Sequence, residues 1–356
     1  MRLFSIIDRH IGRSVLFSTL LVFTIVFLLM TFVVFVDGLR TVGKADYGWL
    51  EHIQYVFLSQ PKRIYELFPT IALLGAIVGL SYLAASSELV AMRAAGVSVW
   101  RIVLAVLKVG LVFVVAGVLM GEFVVPAAEE EAQRVRAQAL HTGFTDEVIG
   151  VWLRDGDEFI NVGEVLPDRS LLHVTIYKFD NEARLISQRY ARRARYQDSF
   201  WRLEQVRQSR ILPARVTVNR RDSAEWHSAL TPDEMAAFAV KPEGMSMRNL
   251  RRYIAHLQDN HQETARYELA FWGKVFSPLA TAVMLLLAIP FVFGHSRSGG
   301  MGYRVFIGIV VGFAFNLLNL SFGYVALLAN VPPVAGALMP SLIFFSIAAF
   351  MLRRAG

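Results

Sequence analysis

The chain has 356 residues, 55% of them hydrophobic, with a mean hydropathy of +0.45 and a formal net charge of +7. Such a composition excludes a soluble globular protein and implies an integral membrane protein. The absence of cysteine excludes disulfides, thiolate metal sites and cysteine nucleophiles, and the arginines are spread over membrane flanks and one central polar region, so anionic lipid and not nucleic acid is the expected counterpart of the positive charge.

Arg2, Arg9 and Arg13 precede the apolar run 15–36. That run is too long for a secretory signal and no small-x-small cleavage site follows, so it reads as a first spanning helix that stays in the protein. Further runs at 66–85, 99–125, 269–293, 304–329 and 334–352 each reach the roughly 20 residues needed to cross ~30 Å of hydrocarbon. Six spans place both termini on one side of the membrane. Short segments on that side carry Arg2, Arg9, Arg13, Arg93, Arg101, Arg297, Arg304, Arg353 and Arg354 against Asp8 and Glu88, a bias that predicts the cytoplasm. The outer segment 37–63 balances Arg40, Lys44, Lys62 and Arg63 with Asp37, Asp46 and Glu51.

Between the second and third spans, SSELVAMRAAGVS (86–98) is too polar for membrane core. Its spacing predicts a short amphipathic helix lying across the cytoplasmic surface and ending at Gly96 in a left-handed stop. A plain connection needs only a tight turn, so a structured helix here suggests that something in the cytosol docks onto it.

Residues 127–265 are polar and long enough for a domain. Strands are expected at 148–154, 158–163, 171–179, 194–197, 200–206 and 215–219, with a turn at Asp198–Ser199, and helical flanks at 127–140 and 246–268. Short strands without intervening helices favour a sandwich or jellyroll. The predicted architecture is therefore an α-helical integral membrane protein of six spans, 1–126 and 266–356, with an all-β jellyroll-like periplasmic domain inserted between helices 3 and 4 at 127–265.

GAIVG (75–79), GVLMG (117–121) and GIVVG (308–312) each set two glycines on one helical face, which fits packing within the six-helix unit or against a second membrane subunit. Pro69, Pro278 and Pro290 lie in or near span ends. Lys108 and Glu122 lie within reach of the ends of the third span, where snorkelling explains them as well as function does. Asn316 and Asn319 either line a cavity or bond between helices.

Recognisable enzymatic motifs are missing. GLRTVGK (38–44) matches seven positions of a phosphate-binding loop, but Ala45 stands where the Mg²⁺-binding Ser/Thr belongs and a span, not a strand, precedes it. The histidines show no metal-ligand spacing, no nucleophile elbow occurs, and no cofactor is expected. A carrier with no ATP site and no proton relay of its own must draw energy from another protein. That points to Ser86–Ser98 as the seat of a separate ATPase, with Glu88 meeting a basic groove and Leu89 and Met92 as apolar anchors, flanked by Arg93 and Gly96.

Seven segments then carry a specific similarity: IIDRHIG (6–12), FVDGLR (35–40), FPTIALLGAIVGL (68–80), SSELVAMRAAGVS (86–98), GEFVVP (121–126), RVRAQAL (134–140) and MPSLIFF (339–345). In this order they resemble the lipopolysaccharide-export permease family, and its G-type branch most. The resemblance implies a non-enzymatic inner-membrane permease subunit with a periplasmic β-jellyroll. It further implies a heterodimer with an F-type subunit, two copies of a cytosolic ATPase, extraction of lipopolysaccharide, and delivery to a single-span jellyroll partner and a periplasmic bridge. An amphiphile with several acyl chains and phosphates needs a large apolar cavity with a cationic rim, for which Arg40, Lys44, Lys62, Arg63, Arg134 and Arg136 are candidates. Val34 stands where the family's pattern leads one to expect a lysine. The family's lining helices are the first and fifth spans, which gives Phe23, Phe27, Met30, Phe306, Phe313 and Leu317 as cavity candidates. The competing reading is a membrane-anchored periplasmic sensor or mechanotransmission protein, which would not need six spans with glycine faces.

Overall fold

The computed structural model describes residues 6–140, 151–166, 170–180, 184–197, 199–212, 215–228, 231–232, 242–259, 262–293, 300–329 and 331–355. Arg2, Arg297, Asp198 and the first three residues of the strand expected at 148–154 lie outside them. Helices α1 (Ile6–Gly38), α2 (Trp49–Ala85), α3 (Glu88–Ala94) and α4 (Val99–Leu119) come first, and α4 continues through a π-helical turn, Met120–Val124, into α5 (Val125–Leu140). Six strands follow: β1 (Val151–Asp155), β2 (Glu158–Val165), β3 (Leu171–Phe179), β4 (Leu185–Gln197), β5 (Phe200–Leu212) and β6 (Arg215–Trp226). The chain closes with α6 (Met247–Asp259), α7 (Ala265–Phe293), α8 (Met301–Leu328) and α9 (Pro333–Ala355). Among the described residues, six helical stretches are long and apolar enough to cross a membrane.

The second span starts at Trp49, well before residue 66. Lys62, Arg63 and Glu66 interrupt the apolar run there, yet His52, Val56, Gln60 and Ile64 are buried at helical spacing, so one face continues the helix where average hydropathy fails. The chain divides into two compact units, Met1–Val34, Gln60–Pro126 and Ala265–Gly356 in one, Phe35–Ser59 and Ala127–Thr264 in the other.

In the helical unit the three glycine pairs all pack inside the bundle. A Cβ on Gly75 would meet the Thr19 backbone and one on Gly79 the Val15 backbone, so α1 lies directly on α2. A Cβ on Gly121 would come within 2.6 Å of the Tyr65 ring, and one on Gly308 within 2.7 Å of Ile77, which brings α4 and α8 onto α2 as well. Asn316 donates to Thr70 Oγ1 at 2.9 Å, so it bonds between helices, while Asn319 is exposed.

In the second unit the strands pair antiparallel in the order β1-β2-β3-β4-β5-β6, one meander. Inward residues include Leu153, Ile160, Val174, Ile176, Ala191, Trp201, Leu203 and Trp226. A single sheet buries such a core only by folding over. The ladder supplies the crease: Gly163, His173, Arg192, Gln205 and Asp222 fall on one row across β2 to β6, and each lacks the pairing its neighbours make. His173 and Gln205 sit there at φ +55° and +52°, a left-handed conformation that bends a strand. Strands thus pass from one layer to the other at a bend, as in packed sheets whose corners are made by bulges. Trp226 Nε1 accordingly reaches across to Glu158 Oε2 at 3.2 Å, and Ser228 Oγ donates to Asp155 Oδ2 at 2.6 Å. Beyond the crease, Arg215–Arg221 of β6 is exposed on both faces.

Candidate functional site

Helix α3 forms where the sequence places it. Gly96 adopts φ +85°, with its N–H on the Arg93 carbonyl and the Val97 N–H on that of Met92, a left-handed C-terminal stop. Ser98 then caps α4, its hydroxyl accepting from the Arg101 N–H at 3.3 Å. The orientation of α3 differs from expectation. Leu89 is buried in the core of the helical bundle and Met92 packs against it, so these two side chains hold α3 from behind and cannot be the outward anchors. The outward face is Val90, Arg93 and Gly96. Hydrophobic burial turned the helix: its few apolar side chains serve its own bundle first.

Glu88 sits at the edge of that face. The His10 imidazole N–H donates to its Oε2 at 2.5 Å and the Ser86 hydroxyl to its Oε1 at 2.8 Å. The His10 bond first and the Ser86 bond second hold the carboxyl below its ordinary pKa.

Two buried charged groups and their contacts escape a reading of composition. Asp8, only 2% exposed, accepts from Lys108 Nζ at 2.6 Å, and Arg101 Nε lies 3.8 Å from its other oxygen. Lys108 is thus an ion-pair partner and not only a snorkelling chain; the signal was an acid in the first turn of a span, but its partner is 100 residues away. Lys274 of α7, also buried, donates to the Gly121 carbonyl at 3.1 Å and stands 5.1 Å from the Tyr65 ring centroid. A π-turn breaks the regular hydrogen-bond ladder, and this lysine satisfies a carbonyl within it.

The cavity candidates divide. Phe23 and Phe27 stack at 6.2 Å and, half-buried, pack against α2, with Met30 half-buried farther along α1. Phe306, Phe313 and Leu317 form an exposed stripe on α8, opposite buried Gly308, Gly312 and Phe315. Only 17% of the most apolar window is buried in α1 and in α8, against 61% in α2.

Of the rim candidates, Arg40 and Lys44 are exposed on the turn after α1, and Arg134 pairs with Glu131 of its own helix at 2.9 Å. Arg136 lies 5.4 Å from the Tyr55 ring centroid. Lys62 and Arg63 are half-buried on α2 in the other compact unit. The turn is no phosphate cradle. The N–H groups of Val42, Gly43 and Lys44 all bond to carbonyls of the turn itself, and Tyr47 and His52 fill its interior. His52 Nε2–H donates to the Phe35 carbonyl at 3.0 Å, leaving Nδ1 to accept from the Tyr47 hydroxyl at 3.2 Å. Burial pushes the Tyr47 pKa up to about 12. Among the described residues no group of three His, Asp or Glu is placed to hold a metal ion.

A family model described as "Lipopolysaccharide export system permease LptF/LptG" matches residues 9–354. The lipopolysaccharide export system permease protein LptG of Escherichia coli strain K12 is 37% identical over 358 residues, 99% of this chain and of that protein. The LptG protein of Haemophilus influenzae is 38% identical over 354 residues, 98% of each. A match of this length spans the glycine-packed bundle, α3 and the creased sheet alike, and the chain belongs to the lipopolysaccharide export permease LptF/LptG family.

Proposed function

We propose that the chain is the G-type permease subunit of an ATP-binding-cassette exporter that extracts lipopolysaccharide from the inner membrane and passes it to a periplasmic bridge. It is not an ATPase itself. It pairs with an F-type subunit and two copies of a cytosolic ATPase, both termini face the cytoplasm, and the strand domain is periplasmic. The observation that carries the reading is the pair of open apolar faces on α1 and α8, two helices that belong to the bundle yet bury little of themselves. In a lipid solvent such faces need no cover for solubility, so they serve a partner helix or the acyl chains of a cargo.

The ATPase docks on the outward face of α3, where Val90, Arg93, Gly96 and the edge of Glu88 are accessible while Leu89 and Met92 brace the helix. Arg40, Lys44, Arg134 and Arg136 act on cargo phosphates, and so do Lys62 and Arg63, each exposed contact being worth about a kcal/mol or less alone. The exposed end of β6 pairs with the next jellyroll by strand addition. The test is to purify the chain with its partners and identify bound lipid by mass spectrometry, with photo-reactive side chains at Phe306, Phe313 and Leu317. Co-purification of an ATPase and crosslinks to lipopolysaccharide are expected; a stable homodimer with neither lipid nor ATPase overturns the proposal in favour of a sensor.

A further inference from the structure

We infer that the first turns of α1 form a polar relay between α3 and the spanning helices, with His10 and Asp8 as its positioning residues; this rests on the proposal that α3 receives the ATPase. Helix α3 is covalently continuous with α2 and α4 through short turns, but α1 is 78 residues away from Glu88 in sequence. The His10 N–H on Glu88 forms a polar link between them. Two residues apart on a helix is about 200° of rotation, so Asp8 and His10 face different neighbours. His10 faces α3 and Asp8 faces Lys108 and Arg101 of α4. The first turns of α1 are therefore held by charge on two sides. Just above, Ser14 Oγ donates to the Gly79 carbonyl of α2 at 3.1 Å, and a Cβ on Gly12 would lie 2.7 Å from Val109 of α4.

Location makes these contacts more than local glue. Near this inner end Ile11 and Val15 are packed in the bundle core beside the polar contacts, whereas only 17% of the most apolar window of α1 is buried, so the packing and the ion pairs that set its position are concentrated where α3 lies. A carboxylate buried next to hydrocarbon tolerates only arrangements that keep its cation, which fixes the register of α1 against α4. A carboxylate offers about four lone-pair sites, so Glu88 can keep His10 and Ser86 and still accept a cation from a docked protein. Displacement of α3 then moves the inner end of α1, one of the two helices with an open apolar face, without passing through the loop at its far end.

The cysteine-free chain suits a direct test. Spin labels at Val90→Cys on α3 and Leu20→Cys on α1, both exposed positions, are introduced into the full chain in lipid nanodiscs and their separation is measured by double electron-electron resonance. One narrow distribution is expected, broadened by His10→Ala and restored by His10→Gln, whose amide can still donate to Glu88. In the reconstituted assembly with F-type subunit and ATPase, lipid delivered per ATP hydrolysed should fall by about fivefold or more with His10→Ala and recover with His10→Gln. Asp8→Lys and Lys108→Asp should each show the same loss and together regain part of it. An unbroadened distribution, or undiminished delivery per ATP in His10→Ala, overturns the relay. Broadening by His10→Ala, when the unlabelled parent chain retains no ATPase, leaves the relay standing and brings down the docking proposal instead.

Discussion

Helices α2 and α7 are hard to tell from α8 by hydropathy, and α1 is more apolar than any of the three. Their surroundings are opposite: 61% and 56% of those windows are buried in α2 and α7, and 17% in each of the others. Hydropathy reports that a helix lies in lipid and says nothing of its neighbours, because lipid tails are as apolar as leucine. Neighbours are chosen by what lets backbones approach or leaves a polar group unsatisfied. Helix α8 shows both rules on one rod, with Gly308, Gly312 and Asn316 toward α2 and Phe306, Phe313 and Leu317 away from it.

The strongest way to break this contrast is to block a close approach. Gly75→Leu places a side chain where the Thr19 backbone already lies, and backbone cannot rotate aside. Overpacking of this kind costs about 1–3 kcal/mol or more. The thermal midpoint of the purified chain should fall clearly, with broadening of its size-exclusion peak. Gly273→Leu, on α7 where no atom stands within 4 Å of the added carbon, should leave both unchanged. Equal effects of the two substitutions would mean that glycine spacing has no part in choosing neighbours.

This split also explains what could be read in advance. The spans, α3 with its Gly96 stop, the glycine faces and most strands follow from local periodicity, which a sequence displays directly. Leu89 and Met92 were legible as the apolar side of α3 but not as inward, since a short amphipathic helix carries no mark of which partner claims its face. Asp8 with Lys108, Lys274 with Gly121 and His52 with Phe35 join segments far apart in the chain, and no spacing rule reaches them. The crease at Gly163, His173, Arg192, Gln205 and Asp222 is invisible for the same reason, because it exists only once five strands are in register.

Asn316→Leu should have an intermediate effect. It removes the hydrogen bond to Thr70 while keeping the helix apolar, and Thr70 Oγ1 retains the Gly312 carbonyl 3.5 Å away. Hydrogen bonds between spanning helices average about 0.6 kcal/mol and reach about 1.7 kcal/mol. Unfolding in mild detergent should shift by that amount, and combination with Thr70→Val should add only the loss of the long 3.5 Å bond to the Gly312 carbonyl, since both changes remove the Asn316–Thr70 contact. Full additivity would show that the two side chains do not act as a pair.

The smallest effect on stability is expected on the open side of the same helix. Phe313 is 69% exposed and next in sequence to Gly312, whose face is packed against α2. Phe313→Ala removes a large ring from contact with lipid or detergent and not from the bundle, so no cavity opens and no partner is left unsatisfied; a change within about 0.5 kcal/mol is expected. Function should separate from stability here. If this face meets acyl chains or a second subunit, the variant chain should melt like the parent yet bind less lipid in the assembled complex, or assemble less readily with the F-type subunit. Phe313→Leu, which keeps an apolar side chain of intermediate size, should restore part of that loss. A Phe313→Ala chain with a lowered melting point would place the ring in the bundle's own packing and close the open face on which the contrast between α8 and α2 depends.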